Sequence, residues 1–272
     1  MAEHVNIKSY EGVENFATFS KEAFKEYCST KLLTCNKHIN FIKKNIHSNK
    51  IGNVLEVGSG NGKLLFALER DGFISQGKGY ELSSSRVFFA NEFGKLLDSK
   101  IVENIHANFL NQVIKENSVD LVIAVDLVIQ LISAISHKSE VDFFKKVYSS
   151  IKPGGFFLIE LMDFSKVIEM HKINNGSLRT WEEFHKNDPW QYGFYDFNIE
   201  GENIVWDKHF IARDRKMKNS QFSNILKHYS FESIKNNLIT AGFDITKIKK
   251  YNFWESENDI LDEEYIVLAV KN

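Results

Sequence analysis

The sequence predicts an α/β protein with a doubly wound, mostly parallel seven-stranded sheet, a terminal antiparallel hairpin and an inserted cap. Over residues 51–161, short apolar runs alternate with helical patterns, which is typical of parallel sheets covered by helices on both faces. Two strand-like runs near the end, 243–254 and 263–272, flank an acidic loop and predict the hairpin. Residues 164–228 lose the alternation and are dense in aromatic side chains, which predicts the cap.

The elements of the alternating region can be assigned in order. Apolar runs with the length of buried strands lie at 51–57, 77–81, 102–106, 119–125 and 156–161. Helical patterns lie between them at 62–70, 84–97 and 140–151. The stretch "KPGG", residues 152–155, predicts a turn before the fifth strand. After the cap, Ser230 is the predicted N-cap of a helix over 231–241, which Gly242 ends.

Residues 1–50 are mostly helical in pattern. Four aromatic residues fall near one face of this segment: Phe16, Phe19, Phe24 and Tyr27. The stripe predicts either packing against the core or a helical lid over the functional site, and both interpretations stay open. Because no long linker separates folding units, we expect residues 1–272 to form a single domain with the cap inserted.

The composition indicates a globular protein without a nucleic-acid or membrane partner. Of the 272 residues 43% are hydrophobic, and the net charge of -2 provides no basic field to hold a phosphate backbone. The most apolar run, 119–135, is interrupted by charged residues and is too short to cross a bilayer comfortably. Cys28 and Cys35 make no disulfide framework, and no secretory signal is visible. We expect a soluble, cytoplasmic protein; its oligomeric state, a homodimer included, stays open.

The stretch "LEVGSGNGKLL", residues 55–65, follows the first strand and predicts a ligand site. Ligands of open parallel sheets bind beyond the carboxyl ends of the strands. Gly58, Gly60 and Gly62 permit positive φ and close approach of the backbone, and the next helix offers free N–H groups. Lys63 stands where a dinucleotide-binding fingerprint has its third glycine. Because Glu56 would repel a pyrophosphate, we expect a ligand with a positively charged end.

The stretch "VLEVGSGNGK" resembles the first motif of class I S-adenosylmethionine-dependent methyltransferases. The resemblance covers roughly residues 50–162 plus the terminal helix and hairpin, and "SIKPGGFFLIE" is similar to a later motif of the family. It implies a Rossmann-like methyltransferase fold with S-adenosylmethionine as the cofactor. In the family, an acid after the second strand binds the ribose hydroxyls, and Glu81 occupies that position.

The resemblance also implies the remaining cofactor contacts. Asn108 stands where the family usually has an acid that receives the adenine amino group, and its carbonyl can still accept. Phe109 would flank the ring, and Asp126 would face the methionine half or the substrate. The full set of expected cofactor-binding residues is Glu56, Gly58, Ser59, Gly60, Gly62, Glu81, Leu82, Asn108, Phe109, Asp126 and Leu127.

Methyl transfer from a sulfonium is an in-line displacement, so the protein mainly aligns the reactants and excludes water. A general base is needed only where the nucleophile must lose a proton, and the candidates are Asp126, His185 and His209. Aromatic residues of the cap are expected to wall the acceptor pocket: Trp181, Trp190, Tyr192, Tyr195 and Trp206. We expect no metal.

The acceptor is predicted to be a small metabolite. Methyltransferases that act on nucleic-acid bases carry a proline-rich run after the fourth strand, where this chain reads "AVDLVIQ". The insertion before the last helix resembles that of small-molecule methyltransferases acting on sugars or other metabolites. We expect methylation at an oxygen or a nitrogen of a small metabolite, of the sugar-nucleotide or secondary-metabolite type. Two alternatives stay open: a non-catalytic S-adenosylmethionine-binding module, and a nicotinamide-dependent oxidoreductase.

Overall fold

The structure is a computed structural model that describes residues 2–11, 14, 16–46, 50–184, 186, 190–215, 217–254 and 264–272. The strands are β1 (Ile51–Val57), β2 (Ile74–Glu81), β3 (Val102–His106), β4 (Val119–Ala124), β5 (Ile151–Met162), β6 (Leu178–Glu183), β7 (Trp190–Glu200), β8 (Asn203–Ala212), β9 (Ser220–Lys227), β10 (Ile248–Trp254) and β11 (Glu264–Val270). The helices are α1 (Ala2–Tyr10), α2 (Lys21–Thr34), α3 (Asn36–Asn45), α4 (Lys63–Arg70), α5 (Ser84–Leu97), α6 (Val128–Ser133), α7 (His137–Ser150), α8 (Ser165–Ile173) and α9 (Phe231–Ala241).

The main sheet has seven strands in the order β10-β11-β5-β4-β1-β2-β3. Strands β1 to β5 pair in parallel, whereas β11 pairs antiparallel with both β5 and β10. The chain moves outward from β1 through β2 to β3 and then returns to β4 on the other side of β1. This confirms the predicted fold class and places a topological switch point between β1 and β4, where open α/β sheets bind ligands.

Most predicted boundaries agree with the structure, and the exceptions have local causes. β1, β3, α5 and α9 coincide with the prediction, and the Ser230 hydroxyl accepts from Ser233 N at 3.2 Å as the N-cap of α9. The predicted turn at 152–155 was wrong as a separate element: β5 already starts at Ile151, and Gly154 (φ 78°) gives only an irregularity within it. Helix α6 was not predicted, because its short apolar sequence has no clear helical period.

Both faces of the main sheet are buried. One face packs against α2 to α5, and the other against α6, α7 and α9. On the first face the N-terminal aromatic residues join the core, with the Phe24 and Phe89 rings 5.1 Å apart at their centroids. The aromatic stripe therefore packs against the core. Cys28 and Cys35 are buried and unpaired in this region.

The cap consists of α8 followed by an antiparallel sheet in the order β6-β7-β8-β9. Its core contains Phe164, Phe197, Trp206 and Leu226, all buried. Helix α1 packs on β9, where the Asn6 side chain accepts from Ile225 N at 2.8 Å and donates to Ile225 O at 2.9 Å. Across the described parts of the chain, no helix combines the length and apolar character needed to span a membrane.

Candidate active site

A cavity of about 330 Å³ lies at the carboxyl ends of β1, β2 and β4, next to the switch point. Its walls come from the glycine loop after β1, the ends of β2 and β3, α6 and α1. The residues that line it are Asn6, Tyr10, Glu56, Val57, Gly58, Ser59, Gly60, Asn61, Lys63, Tyr80, Glu81, Leu82, Ser83, Arg86, Ala107, Asn108, Phe109, Leu110, Asp126, Leu127, Val128, Leu131, Ile132, Ile135, Met162 and Glu264. Distant parts of the sequence therefore meet at one site.

The glycine loop needs glycine for two independent reasons. Gly58 and Gly60 have φ values of 68° and 55°, in the left-handed region that side chains disfavour. A Cβ atom on Gly58 would clash with Val128, and one on Gly60 would lie 2.6 Å from Arg86 Nη2. The loop thus turns sharply and brings its backbone to the cavity wall.

Glu81 lies at the end of β2 and is 7% exposed. Its Oε2 accepts from Gly60 N at 2.9 Å, and its Oε1 accepts from Ser83 N at 2.8 Å. Each carboxylate oxygen has a further lone pair, so both can still accept a hydrogen bond from a ligand in the cavity. The carboxylate is therefore fixed between the glycine loop and the start of α5.

Glu56 is the second buried acid of the cavity. It is 3% exposed, and its Oε2 has no hydrogen-bond partner among the described residues. Burial, together with the nearby Asp126 carboxylate, raises the pKa of Glu56 to about 8. An unpartnered carboxylate in this position would be stabilised by a cationic group and destabilised by a phosphate.

Asp126 follows β4 and forms an ion pair with Lys63, with 3.2 Å between Oδ2 and Nζ. The Lys63 ammonium lowers the pKa of Asp126 to about 2, although the carboxyl side chain is 57% exposed. Asp126 and Leu127 have φ values of 56° and 70°, which is unusual for two successive residues with side chains. The Asp126 amide donates to Glu160 Oε2 at 3.3 Å, which helps to hold this conformation.

Asn108 and Phe109 form the adjoining wall. Asn108 is the N-cap of a short 3₁₀ turn, and its Oδ1 accepts from Leu110 N at 2.9 Å. Phe109 is 3% exposed and lies against Tyr80, with 5.9 Å between ring centroids. The asparagine carbonyl therefore has one lone pair engaged and one available.

The N-terminal segment contributes residues that the sequence did not predict. Glu14 Oε1 accepts from Asn61 Nδ2 in the glycine loop at 2.7 Å, and Glu14 Oε2 accepts from Arg86 Nε at 3.2 Å. Tyr10 lies beneath Arg86, with 5.3 Å from the guanidinium carbon to the ring centroid. No local sequence pattern predicts this role of Glu14, because its hydrogen-bond partners, Asn61 and Arg86, lie far along the chain.

Most of the expected cofactor-binding residues line the cavity. Those that do are Glu56, Gly58, Ser59, Gly60, Glu81, Leu82, Asn108, Phe109, Asp126 and Leu127. Gly62 does not, because it closes the loop: its amide donates to Ser59 O at 2.8 Å, and it is the N-cap of α4. Lys63, Arg86 and Tyr10 line the cavity but were absent from the expected set.

The structure does not bring the cap residues expected at the site to this cavity. His209 is exposed on β8, and His185 lies outside the described residues. Tyr195 and Trp206 are buried in the cap core, whereas the Trp181 side chain is 61% exposed. Trp190 and Tyr192 lie on β7 and also line no part of this cavity. The physical reason is that these aromatic side chains alternate between the two faces of the cap sheet.

The charges facing the cavity fit a ligand with hydroxyl groups and a cationic end. Glu81 and Asp126 provide two carboxylates, and Glu56 is a third acid that a neighbouring cation would ionise, while Lys63 and Arg86 are each engaged with an acid. A pyrophosphate would face the unpartnered Glu56 without a free cation nearby among the residues that line the cavity. The residues present therefore fit an adenosyl sulfonium carrying an amino acid tail better than a dinucleotide.

Comparison with known proteins agrees with this geometry. The family described as "Methyltransferase domain" matches residues 48–204, more than half of the chain. An S-adenosylmethionine-dependent methyltransferase from Clostridium acetobutylicum ATCC 824 is similar in structure, with a TM-score of 0.70 and 16% identity over 94% of each chain. No curated protein matches the sequence.

Two further solved structures share the fold. The CcbJ methyltransferase of Streptomyces caelestis has a TM-score of 0.68 and 13% identity, covering 88% of this chain and 90% of that one. A phosphoethanolamine N-methyltransferase of Haemonchus contortus, in complex with phosphomonomethylethanolamine and S-adenosylhomocysteine, has a TM-score of 0.54 and 15% identity, covering 87% and 52%. At these identities the likeness concerns the fold. Together with the family match and the acids of the switch-point cavity, this likeness shows that the chain belongs to the class I S-adenosylmethionine-dependent methyltransferases.

Proposed function

We propose that this methyltransferase modifies an oxygen or a nitrogen of a small metabolite, of the sugar-nucleotide or secondary-metabolite type. The observation that supports this best is that α1 forms part of the cavity wall and that Leu127, Leu131 and Met162 connect the cavity to the cap. A concave site with walls on several sides suits a small acceptor, whereas a nucleic acid would need an open, basic groove. The similar Haemonchus enzyme binds a small acceptor, which supports the same size class here.

In this proposal Glu81 binds the ribose hydroxyls of the cofactor. Its carboxylate is already oriented by Gly60 N and Ser83 N, and charged acceptors form the stronger hydrogen bonds. The second lone pair of Asn108 Oδ1 would receive the adenine amino group, and Phe109 would lie beside the ring. Leu82 and the backbone of the glycine loop complete the adenosine site.

Glu56 would bind the ammonium group of the amino acid tail. A cation next to Glu56 favours the ionised carboxylate and lowers its pKa from about 8. Cofactor binding would therefore release a proton from Glu56 at neutral pH. Asp126 lies close enough to Glu56 to influence its ionisation, and it would share the cationic end of the cofactor.

When bound, S-adenosylmethionine supplies an electrophilic methyl group on a sulfonium. The chain's own task is to orient the acceptor and to exclude water, which α1 and the cap would do. With a pKa of about 2, Asp126 is a weak base, so its proposed role is orientation and not proton removal. An amine acceptor that arrives neutral needs no base.

The organisation of the chain follows from the same proposal. We take it to be one domain in which residues 164–228 act as the cap. Of the N-terminal segment, α1 lines the cavity and would act as the lid, whereas α2 and α3 pack on the core. Glu14 supports the lid role, because it links the N-terminal segment to Asn61 in the glycine loop. Unpaired Cys28 and Cys35 are compatible with a reducing, cytoplasmic location.

The experiment is a transfer assay with cofactor labelled in its methyl group. Small metabolites, proteins and RNA from one extract are presented separately to the enzyme. Label in the metabolite fraction supports the proposal. Label only in protein or RNA, or none in any fraction despite cofactor binding, contradicts it.

A further inference from the structure

A buried lysine lies on the inner face of the cap sheet. Lys208 is 8% exposed, and its Nζ lies 3.5 Å from the centroid of the Trp206 ring and 5.6 Å from that of Phe222. Within the described ranges this Nζ makes no hydrogen bond and no ion pair. Burying an ammonium group without a direct counter-ion costs free energy, so its retention in a cap core calls for an explanation.

The nearest acid does not supply that counter-ion. Glu182 on β6 accepts a hydrogen bond from the Tyr195 hydroxyl, and its charge favours the Lys208 ammonium only from beyond ion-pair distance. Burial is the larger effect and lowers the pKa of Lys208 to about 7. A ligand that brings a negative charge would therefore favour the protonated form of Lys208, which burial disfavours in the free protein.

Two further donors lie on the same face. Trp206 and Asn224 are directly opposite each other on β8 and β9. Trp206 Nε1 has no hydrogen-bond partner among the described residues. The Asn224 amide is 0% exposed and meets no described partner in full hydrogen-bond geometry, although it lies close enough to the Tyr10 hydroxyl to interact with it. Buried polar groups in folded proteins are nearly always paired. Their presence beside Lys208 indicates a polar site at the edge of the cap core, into which the Trp206 ring itself packs.

This polar face adjoins the cavity. Tyr10 lines the cavity. Burial raises the pKa of Tyr10 to about 12, and an interaction with the Asn224 side chain opposes that rise, so Asn224 lies next to Tyr10. Leu127, Leu131 and Met162 line the cavity on one side and pack against the cap core on the other. Neighbouring pairs connect the cavity wall to the lysine: Tyr10 with Asn224, Asn224 with Trp206, and Trp206 with Lys208.

We propose that Lys208, Trp206 Nε1 and the Asn224 amide bind an anionic group of the methyl acceptor, while its nucleophilic atom lies in the cavity. This inference rests on the proposed function, and it narrows the acceptor to a metabolite carrying a carboxylate or a phosphate. Lys208 reaches the ligand by leaving the Trp206 ring, which its flexible four-carbon stem permits. It acts as a positioning residue.

The test uses three small probes of similar shape: benzoate, phenyl phosphate and benzamide. Each is titrated calorimetrically into protein with and without saturating S-adenosylhomocysteine. The variants are Lys208→Met, Lys208→Arg and, as a matched control, Arg179→Met, which removes a charge from a 77% exposed side chain of the same sheet. A separate titration with S-adenosylhomocysteine reports on the proposed function for every protein.

We expect benzoate, phenyl phosphate or both to bind the wild-type protein more tightly than benzamide does. The anion that binds more tightly identifies the anionic group of the acceptor. Lys208→Met should weaken anion binding about tenfold or more, as expected for a lost charged hydrogen bond, with benzamide unaffected. Lys208→Arg should restore much of it, and Arg179→Met should leave it unchanged. Equal affinity of the wild type for the anions and benzamide, or unchanged anion affinity in a folded Lys208→Met protein, would overturn the proposal. Failure of S-adenosylhomocysteine to bind would instead count against the proposed function.

Discussion

The Gly60 amide donates a 2.9 Å hydrogen bond to Oε2 of Glu81, and so links the turn after β1 to the end of β2. The loop geometry and the orientation of the carboxylate therefore depend on each other. Removing either partner should disturb the cofactor site as a whole, because a buried donor or acceptor would lose its partner.

Replacing Glu81 with alanine should weaken S-adenosylhomocysteine binding. Two hydrogen bonds to the ribose would be lost, at about 1.5–3 kcal/mol each. Calorimetric titration measures the change, and Glu103→Ala on the neighbouring β3 is the control, because that side chain is 60% exposed. Unchanged affinity of the Glu81 variant would show that this carboxylate does not bind the ribose.

Replacing Gly60 with alanine should abolish tight cofactor binding. The backbone strain of a side chain at positive φ is about 1–2 kcal/mol, and Gly72→Ala carries the same strain in open space. Gly60→Ala should lose at least as much unfolding free energy in urea as Gly72→Ala, because its Cβ also meets Arg86. Only Gly60→Ala should also lose cofactor affinity, because its Cβ would crowd Arg86 in the cavity wall and shift the loop, whereas position 72 lies outside the cavity. Equal affinities of the two variants would contradict this role of the loop.

Replacing Glu56 with glutamine should stabilise the ligand-free protein and weaken cofactor binding. Burial raises the pKa of Glu56 from 4.5 to about 8. Between pH 4.5 and about pH 8, Glu56 is therefore protonated in the folded state and ionised in the unfolded chain. The free energy of unfolding of the wild type therefore falls as the pH rises through this window, and the variant should lack this fall. At pH 8 we expect a gain of about 2–4 kcal/mol in urea unfolding. A less stable variant at pH 8, or one with unchanged cofactor affinity, would argue against an unpartnered, ligand-binding Glu56.

Replacing Lys63 with methionine should destabilise the protein by about 1 kcal/mol at pH 7, a value reduced for the exposure of Asp126. In the folded state the pKa of Asp126 is about 2, compared with 3.8 in the unfolded chain. The ion pair therefore stabilises the folded state at pH values above 3.8, and this stabilisation is lost as the pH falls towards about 2. The difference between wild type and variant should therefore shrink over this window. Lys78→Met, which breaks an exposed pair with Glu103, is the control. A difference that does not change with pH would rule out the Lys63–Asp126 pair as its source.

The sequence predicted the sheet and the cofactor loop because both depend on local patterns. Apolar strands, alternating glycines and an acid at the end of β2 are visible within short stretches. The contribution of Glu14 was not predictable, because Asn61 and Arg86 reach it only after the chain has folded.

The strands of the cap sheet were not predicted from the sequence, for a different reason. Aromatic residues occupy both faces of β7, and the buried face of β8 carries the charged Lys208, which together obscure the alternation that marks a strand. A signal was present: Gly201, at φ 64°, and Glu202 form the two-residue connection between Glu200 and Asn203. A two-residue hairpin turn at this position predicts a strand after it, with Trp206 and Lys208 on the same face of the sheet.

The most direct test of the account is calorimetric titration of the wild-type protein with S-adenosylhomocysteine at pH 7. We predict a 1:1 isotherm with release of most of one proton, seen as a dependence of the heat on the ionisation enthalpy of the buffer. A folded protein that gives no binding heat in any buffer, or one that binds NADH at this site instead, would contradict the assignment of the cavity.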